Sequence, residues 1–204
     1  PLSGSTFKKV YYDDLLERAV SKFVPADDLI VPYTATSLDD AEAVIHVVKM
    51  SENELRKQMV SGFYSDIELT KPTDTVTNEL EEKEREVEGL TKSQRVDAMY
   101  TILECHVNLD LEGFEDLGPD GEPTGIKLPY VVTIEEGSRR VLSIRRNFAP
   151  NDPKKNKIQY FVHFKFLPGL GFYGLGLIHM IGGLSRTATA ALRQLLDAGT
   201  LSNL

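Results

Sequence analysis

Three glycines spaced as Gly169-x-Gly171-x-x-Gly174 lie between an aromatic run, Gln159-Tyr-Phe-Val-His-Phe-Lys-Phe-Leu167, and an apolar stretch at helical spacing. Between a strand and a helix, such glycines let backbone N–H groups and the helix N-terminus hold a pyrophosphate, the chemistry of a dinucleotide-binding turn. That chemistry also needs a second parallel strand after the helix, with an acidic residue near its end about 20 residues on. Asp197 falls instead in the last helical turn, and too few residues follow it to complete a βαβ unit. The better expectation is architectural: a turn whose glycines permit positive φ and close packing. A small nucleotide-binding enzyme using Gly169–Gly174 is the alternative.

Other reactive side chains are scattered. His46, His163 and His179 show no His-x-x-x-His spacing and read as packed or surface histidines. Cys105 and His106 are neighbours on a predicted strand, so they point to opposite sides, Cys105 inward and His106 outward; two such neighbours cannot form a dyad. Glu79-Leu-Glu-Glu-Lys-Glu-Arg-Glu-Val-Glu88 is a charge run of the kind that forms a solvated helix or loop. Carboxylates stepping around a helix do not converge on a metal ion without partners from elsewhere. Arg139, Arg140, Arg145 and Arg146 on one hairpin suggest a peripheral DNA-binding edge, though a charged edge that discourages aggregation is the simpler reading. No catalytic residue, metal ligand or cofactor is predicted.

The composition narrows the function classes. A formal net charge of -8 argues against a broad basic surface for gripping nucleic acid. A single cysteine excludes an internal disulfide, which fits an intracellular or assembly environment better than a secreted, stapled one. No Asp, Glu, Lys or Arg falls between Lys165 and Arg186, a window about 20 residues long and so near the length of a membrane span. Pro168, six glycines and His179 within it would leave polar groups unsatisfied in hydrocarbon, so a packing helix is expected there and no membrane. No signal peptide is evident, and a polar start at Pro1 suggests an excised piece of a longer protein.

The elements that must position these residues read as α+β, with mostly antiparallel sheet. Phe7–Tyr12, Arg18–Pro25 and Ala43–Met50 have strand patterns, Leu29–Pro32 is a short apolar segment, and Thr36-Ser37-Leu-Asp39-Asp40 is turn and cap chemistry. Ser51-Glu-Asn-Glu54 is a capping box that starts a helix near 52–61, which Gly62 ends. Phe63–Leu69 reads as a strand or extended arm. A charged helix is expected near 77–88, inside a charged insertion at 70–95. Val96–Leu111 alternates as a strand, and Gly118-Pro-Asp-Gly121-Glu-Pro-Thr-Gly125 is loop. Lys127–Glu136 and Arg139–Arg146 form a hairpin, and a loop at Asn147–Lys157 leads to the aromatic strand. Leu177, Ile178, Ile181, Leu184, Ala188, Ala191, Leu192 and Leu195 make the apolar stripe of a long helix near 175–198 that stops at Gly199. The late strands are expected to run as one antiparallel meander closed off by this helix, within a single domain spanning 1–204.

The order of several segments resembles the large portal proteins of short-tailed bacteriophages. Asp28-Leu-Ile-Val-Pro-Tyr33 with Ala35-Thr-Ser37, Ser51-Glu-Asn-Glu-Leu55 and Gly62-Phe-Tyr64 carry the first half. Lys127-Leu-Pro-Tyr130, Arg140-Val-Leu-Ser-Ile-Arg145 with Asn147, and above all Phe166-Leu-Pro-Gly-Leu-Gly-Phe-Tyr-Gly-Leu-Gly176 carry the second. Arg193-Gln-Leu-Leu-Asp-Ala-Gly199 and Leu201-Ser-Asn203 continue it. The resemblance is weakest from Thr70 to Arg95.

It implies a non-enzymatic part of a homo-oligomeric ring of about a dozen subunits at one capsid vertex, through which double-stranded DNA is packaged and ejected. The implied partners are the terminase motor, the capsid and tail adaptor proteins, and the implied locations are the virion and, during assembly, the host cytoplasm. Lacking long crossing stem helices, the chain is expected to be a wing-like piece. Phe172, Tyr173, Arg186 and Arg193 are the candidate subunit-interface residues. An acidic balance suits a conduit along which DNA slides.

Overall fold

Two compact units make up the chain: one from residues 1–27, 33–41 and 159–204, the other from 28–32 and 42–158. The computed structural model describes residues 4–13, 16–69, 99–169 and 171–202. The charged helix expected near 77–88, and the whole 70–95 insertion around it, lie outside those residues.

The first unit is built on a three-stranded antiparallel sheet, β1 (Ser5–Asp13), β2 (Arg18–Val24) and β8 (Phe161–Lys165), with β1 in the centre. Phe7 faces Val24 on one side and His163 on the other, so one face gathers Ser5, Phe7, Phe161 and His163. Alternation sends Lys8, Val10 and Tyr12, Phe23, and Val162 and Phe164 to the opposite face, where all of them are exposed. Between residues 33 and 41 the Asp40 carboxylate accepts from the Thr36 hydroxyl and from the backbone N–H groups of Ser37 and Thr36. These bonds, that of the Thr36 hydroxyl foremost, hold it far below the usual carboxylate range.

The second unit is a five-stranded antiparallel sheet in the order β3 (Leu29–Ile30), β4 (Ala43–Met50), β5 (Tyr100–Leu109), β6 (Leu128–Glu135) and β7 (Arg140–Arg146). Both faces are apolar over part of their length. Leu128, Tyr130 and Val132 gather Cys105, Val107, Leu109, Ile134 and Phe148 on one. On the other, helix α1 (Glu52–Val60) lays Leu55 and Met59 over Met50, Tyr100, Ile102 and Leu142, with Tyr64 beside them. The N-cap half of the capping box forms as expected, the Ser51 hydroxyl accepting from the Glu54 N–H at 3.3 Å. A bulge at Thr133/Ile134 sets the extra residue of β7, Leu142, against the α1 cluster, where it is fully buried. Residues 63–69 run on from α1 without forming a strand.

Three expectations need correction. The aromatic strand does not extend the meander: β8 leaves the β4–β7 series and pairs with β1 in the other unit. Its inward residues, Phe161 and His163, find their apolar partners on β1. His106 does not face solvent. It is buried, because the face it shares with Ile102 is covered as well as the face that carries Cys105. The long helix, α2 (Leu177–Ser202), has the expected position but runs through Gly199 instead of stopping there, and it closes off no sheet: every residue from Ile178 to Thr200 is exposed.

Candidate functional site

The glycine turn after β8 is held by the backbone of the N-terminal strand. Leu167 and Leu175 exchange two backbone hydrogen bonds across the turn (3.2 and 2.7 Å), and the Phe166 N–H donates to the Gly4 carbonyl at 2.9 Å. A Cβ on Gly174 would lie 2.8 Å from the carbonyl oxygens of both Gly4 and Leu167, so a side chain has no room there. Gly174 N–H donates to Ser5 Oγ at 2.8 Å, and Gly176 N–H donates to His179 Nδ1 at 3.1 Å. Two N–H groups between the turn and the helix start are thus taken by the protein itself. β8 runs antiparallel to its neighbour, not in the parallel arrangement that a βαβ unit requires.

Beneath the turn three rings cluster. Phe7 lies 4.3 Å from the His163 ring and 5.9 Å from Phe172, and His163 lies 4.8 Å from Phe172. His163 Nε2 sits 3.0 Å from Ser5 Oγ. Serine and histidine in contact have the letters of a nucleophile and its base, but Ser5 is only 2% exposed, covered by the turn it anchors. The pair is a packing contact.

Burial between the rings, with the Lys165 charge nearby, lowers the His163 pKa to about 4. The unfolded chain takes up that proton near pH 6.5, while the folded chain refuses it until about pH 4. Stability of this unit is therefore complete above pH 6.5 and falls as the pH drops towards 4. Because the ring is partly open to solvent, the loss is expected to be about 1–2 kcal/mol, less than the full shift would give. Chemical denaturation at pH 7 and pH 4.5 measures it, and His163→Phe is expected to flatten the dependence. An unchanged slope in that variant would refute the assignment.

The four candidate interface residues fall in different places. Phe172 is in the ring cluster, 6% exposed, and Tyr173 packs edge-on against it at 5.1 Å with nearly half of its own surface open. Partial burial, and then the Asp27 charge, raise the Tyr173 pKa. Arg186 and Arg193 are exposed on α2, seven residues apart and so on one line of the helix.

The arginines of the β6–β7 hairpin lie on or beside the edge strand β7 but do not share one face. Arg145 pairs with Val131 and Arg146 with Tyr130, consecutive positions on opposite faces. Arg145 lies 3.5 Å over the Phe63 ring and donates to the Phe63 carbonyl, and Arg146 sits near Phe114.

One polar cluster was missed by sequence reasoning. On the sheet of the second unit, Glu104 Oε1 lies 2.9 Å from His106 Nε2, and Oε2 lies 3.7 Å from His46 Nδ1. The available signal was register: His46 faces Glu104 across β4 and β5, and Glu104 and His106 share a face two residues apart. Burial and then this carboxylate push the Tyr64 pKa up to about 12. Among the described residues no group of three or more His, Cys, Asp or Glu is arranged to hold a metal ion.

What the chain leaves open is apolar surface. Leu184 is 72% exposed and Leu195 68%, with Ile178, Ile181, Leu192 and Leu196 similar, and the uncovered face of the three-stranded sheet adds Tyr12, Phe23 and Phe164. Patches of this extent mark surfaces that a partner covers. No helix among the described residues is long and apolar enough to cross a membrane. No curated protein matches the sequence. A family model described as phage SU10 portal protein matches residues 9–204, nearly the whole chain, and so this chain belongs to that family of phage portal proteins, structural components of the capsid vertex.

Proposed function

We propose that this chain is a wing-like part of the portal ring at the capsid vertex, helping to form the conduit through which double-stranded DNA enters and leaves. The observation that carries the proposal, beside the family match, is the continuous exposure of α2 from Ile178 to Thr200 despite its apolar stripe. A helix this apolar is stable in water only once a partner covers it. In this reading homo-oligomerisation into a ring of about a dozen copies supplies that cover.

Tyr173, Arg186 and Arg193 add a second, polar interface with neighbouring subunits, apart from the apolar stripe of α2, with Phe172 supporting Tyr173 from beneath. The terminase motor, capsid and tail adaptor proteins are the further partners, met in the host cytoplasm during assembly. The net charge of -8 favours DNA that slides over DNA that is gripped, since acidic side chains outnumber the basic ones that would hold its phosphates.

Immunogold labelling of particles with antibody against this chain tests the reading. Gold at a single vertex per particle, and DNA-free capsids when the gene is deleted, are the expected results. Label spread over the capsid shell, or filled capsids without the protein, would refute it.

A further inference from the structure

The apolar residues of α2 keep a stricter period than amphipathicity alone requires. Ile181, Ala188 and Leu195 recur every seven residues, and Leu184, Ala191 and Ala198 recur every seven in the intervening positions. Steps of three and four in alternation are the spacing that seats one helix against another by knobs-into-holes packing.

The helix's charges avoid this seam. Arg186 and Arg193 share a column well away from it, Asp197 lies farther round, and neither the seam nor the columns on either side hold a charged residue. Ile178 and Leu192 on one flank, and Leu196 beyond them, widen the apolar surface to an arc of about 160° around the helix. A two-helix seam needs less than that.

We infer that α2 packs in parallel against the α2 helices of two neighbouring copies of this chain, the Leu184 edge of one seated on the Leu192 edge of the next. The inference deepens the ring reading and rests on it. Several observations favour a second copy over another occupant. An uncharged seam meets no like charge when the same helix is brought to it. Ala188 and Ala191 at its middle let two helix axes come close. A wide apolar arc with two edges serves a head-to-tail contact, the only kind that closes a ring. At 26 residues the helix is about 39 Å long, enough for a contact of about 800 Å² on each partner.

Cross-linking of the whole chain tests this. In a Cys105→Ala background, Leu184→Cys combined with Ser185→Cys puts one thiol on each edge at the same height of the helix. A short bis-maleimide is expected to give a ladder of dimers, trimers and higher species from the double variant and none from either single one. Ala188→Glu is expected to reduce the native mass to that of a monomer, and Ala190→Glu, the same change on the side of the helix away from the seam, to leave it unchanged. Circular dichroism confirms that each variant is folded, which exposed positions should allow. Dimers alone would mean a two-fold pair and overturn the inference, as would an oligomer mass indifferent to Ala188→Glu or a chain that stays monomeric. Vertex labelling is a separate readout, so the ring reading can stand while the seam fails.

Discussion

Gly4→Ala is expected to destabilise the three-stranded unit by about 3–5 kcal/mol. Gly4 has φ +90, a conformation an L-residue adopts only under strain, and a Cβ there would lie 2.3 Å from the Gly174 carbonyl oxygen and 2.6 Å from the Gly176 nitrogen. Both obstacles are backbone, so no rotamer change relieves them. The turn must lift from β1, and with it go the Phe166 N–H bond to the Gly4 carbonyl and the Gly174 N–H bond to Ser5 Oγ.

Gly62→Ala isolates the strain. Gly62 also has positive φ (+74), but its Cβ would meet nothing within 4 Å, so about 1 kcal/mol is expected. Hydrogen exchange read by mass spectrometry resolves the two units. Gly4→Ala should cost β1 and β8 their amide protection while the five-stranded sheet keeps its own. Equal effects of the two substitutions would mean that the turn and the N-terminal strand are not interlocked.

Phe7→Ala should cost the same unit about 3–5 kcal/mol. Phe7 is fully buried at the centre of the sheet and touches both other rings of the cluster, so its removal opens a cavity that backbone pairing on both sides prevents from collapsing. Phe7→Leu keeps most of the volume and should cost about half as much. The same substitution has a second readout. With one of the two rings against it gone, His163 is rehydrated, and its pKa should climb from about 4 towards its ordinary value. Imidazole titration by NMR follows this directly; a pKa still near 4 in Phe7→Ala would show that the rings are not what keeps the imidazole neutral.

Local features were legible before any coordinates. The N-cap at Ser51, the hairpin of β6 and β7, the stop after β8 at Pro168 and the start of α2 all depend on residues within a few positions of one another. Their chemistry is written in type and spacing. The glycine turn was legible as architecture for the same reason, since its sequence lacked the second strand that a nucleotide site requires.

Only the tertiary structure decided which segments meet. β8 pairs with β1, and Ser5 lies beside Gly174, because two half-buried aromatic surfaces far apart in sequence complete each other, and no local period reports that. Alternation divided β5 correctly into two faces but could not say that both are covered, so His106 beside Glu104 went unseen. The stripe on α2 announced that something packs there. Whether its own sheet or another molecule does so depends on where the chain places the helix, and the fold leaves that stripe open. Periodicity is a property of neighbouring residues, whereas burial is a property of the partner, and the partner is chosen by the whole surface at once.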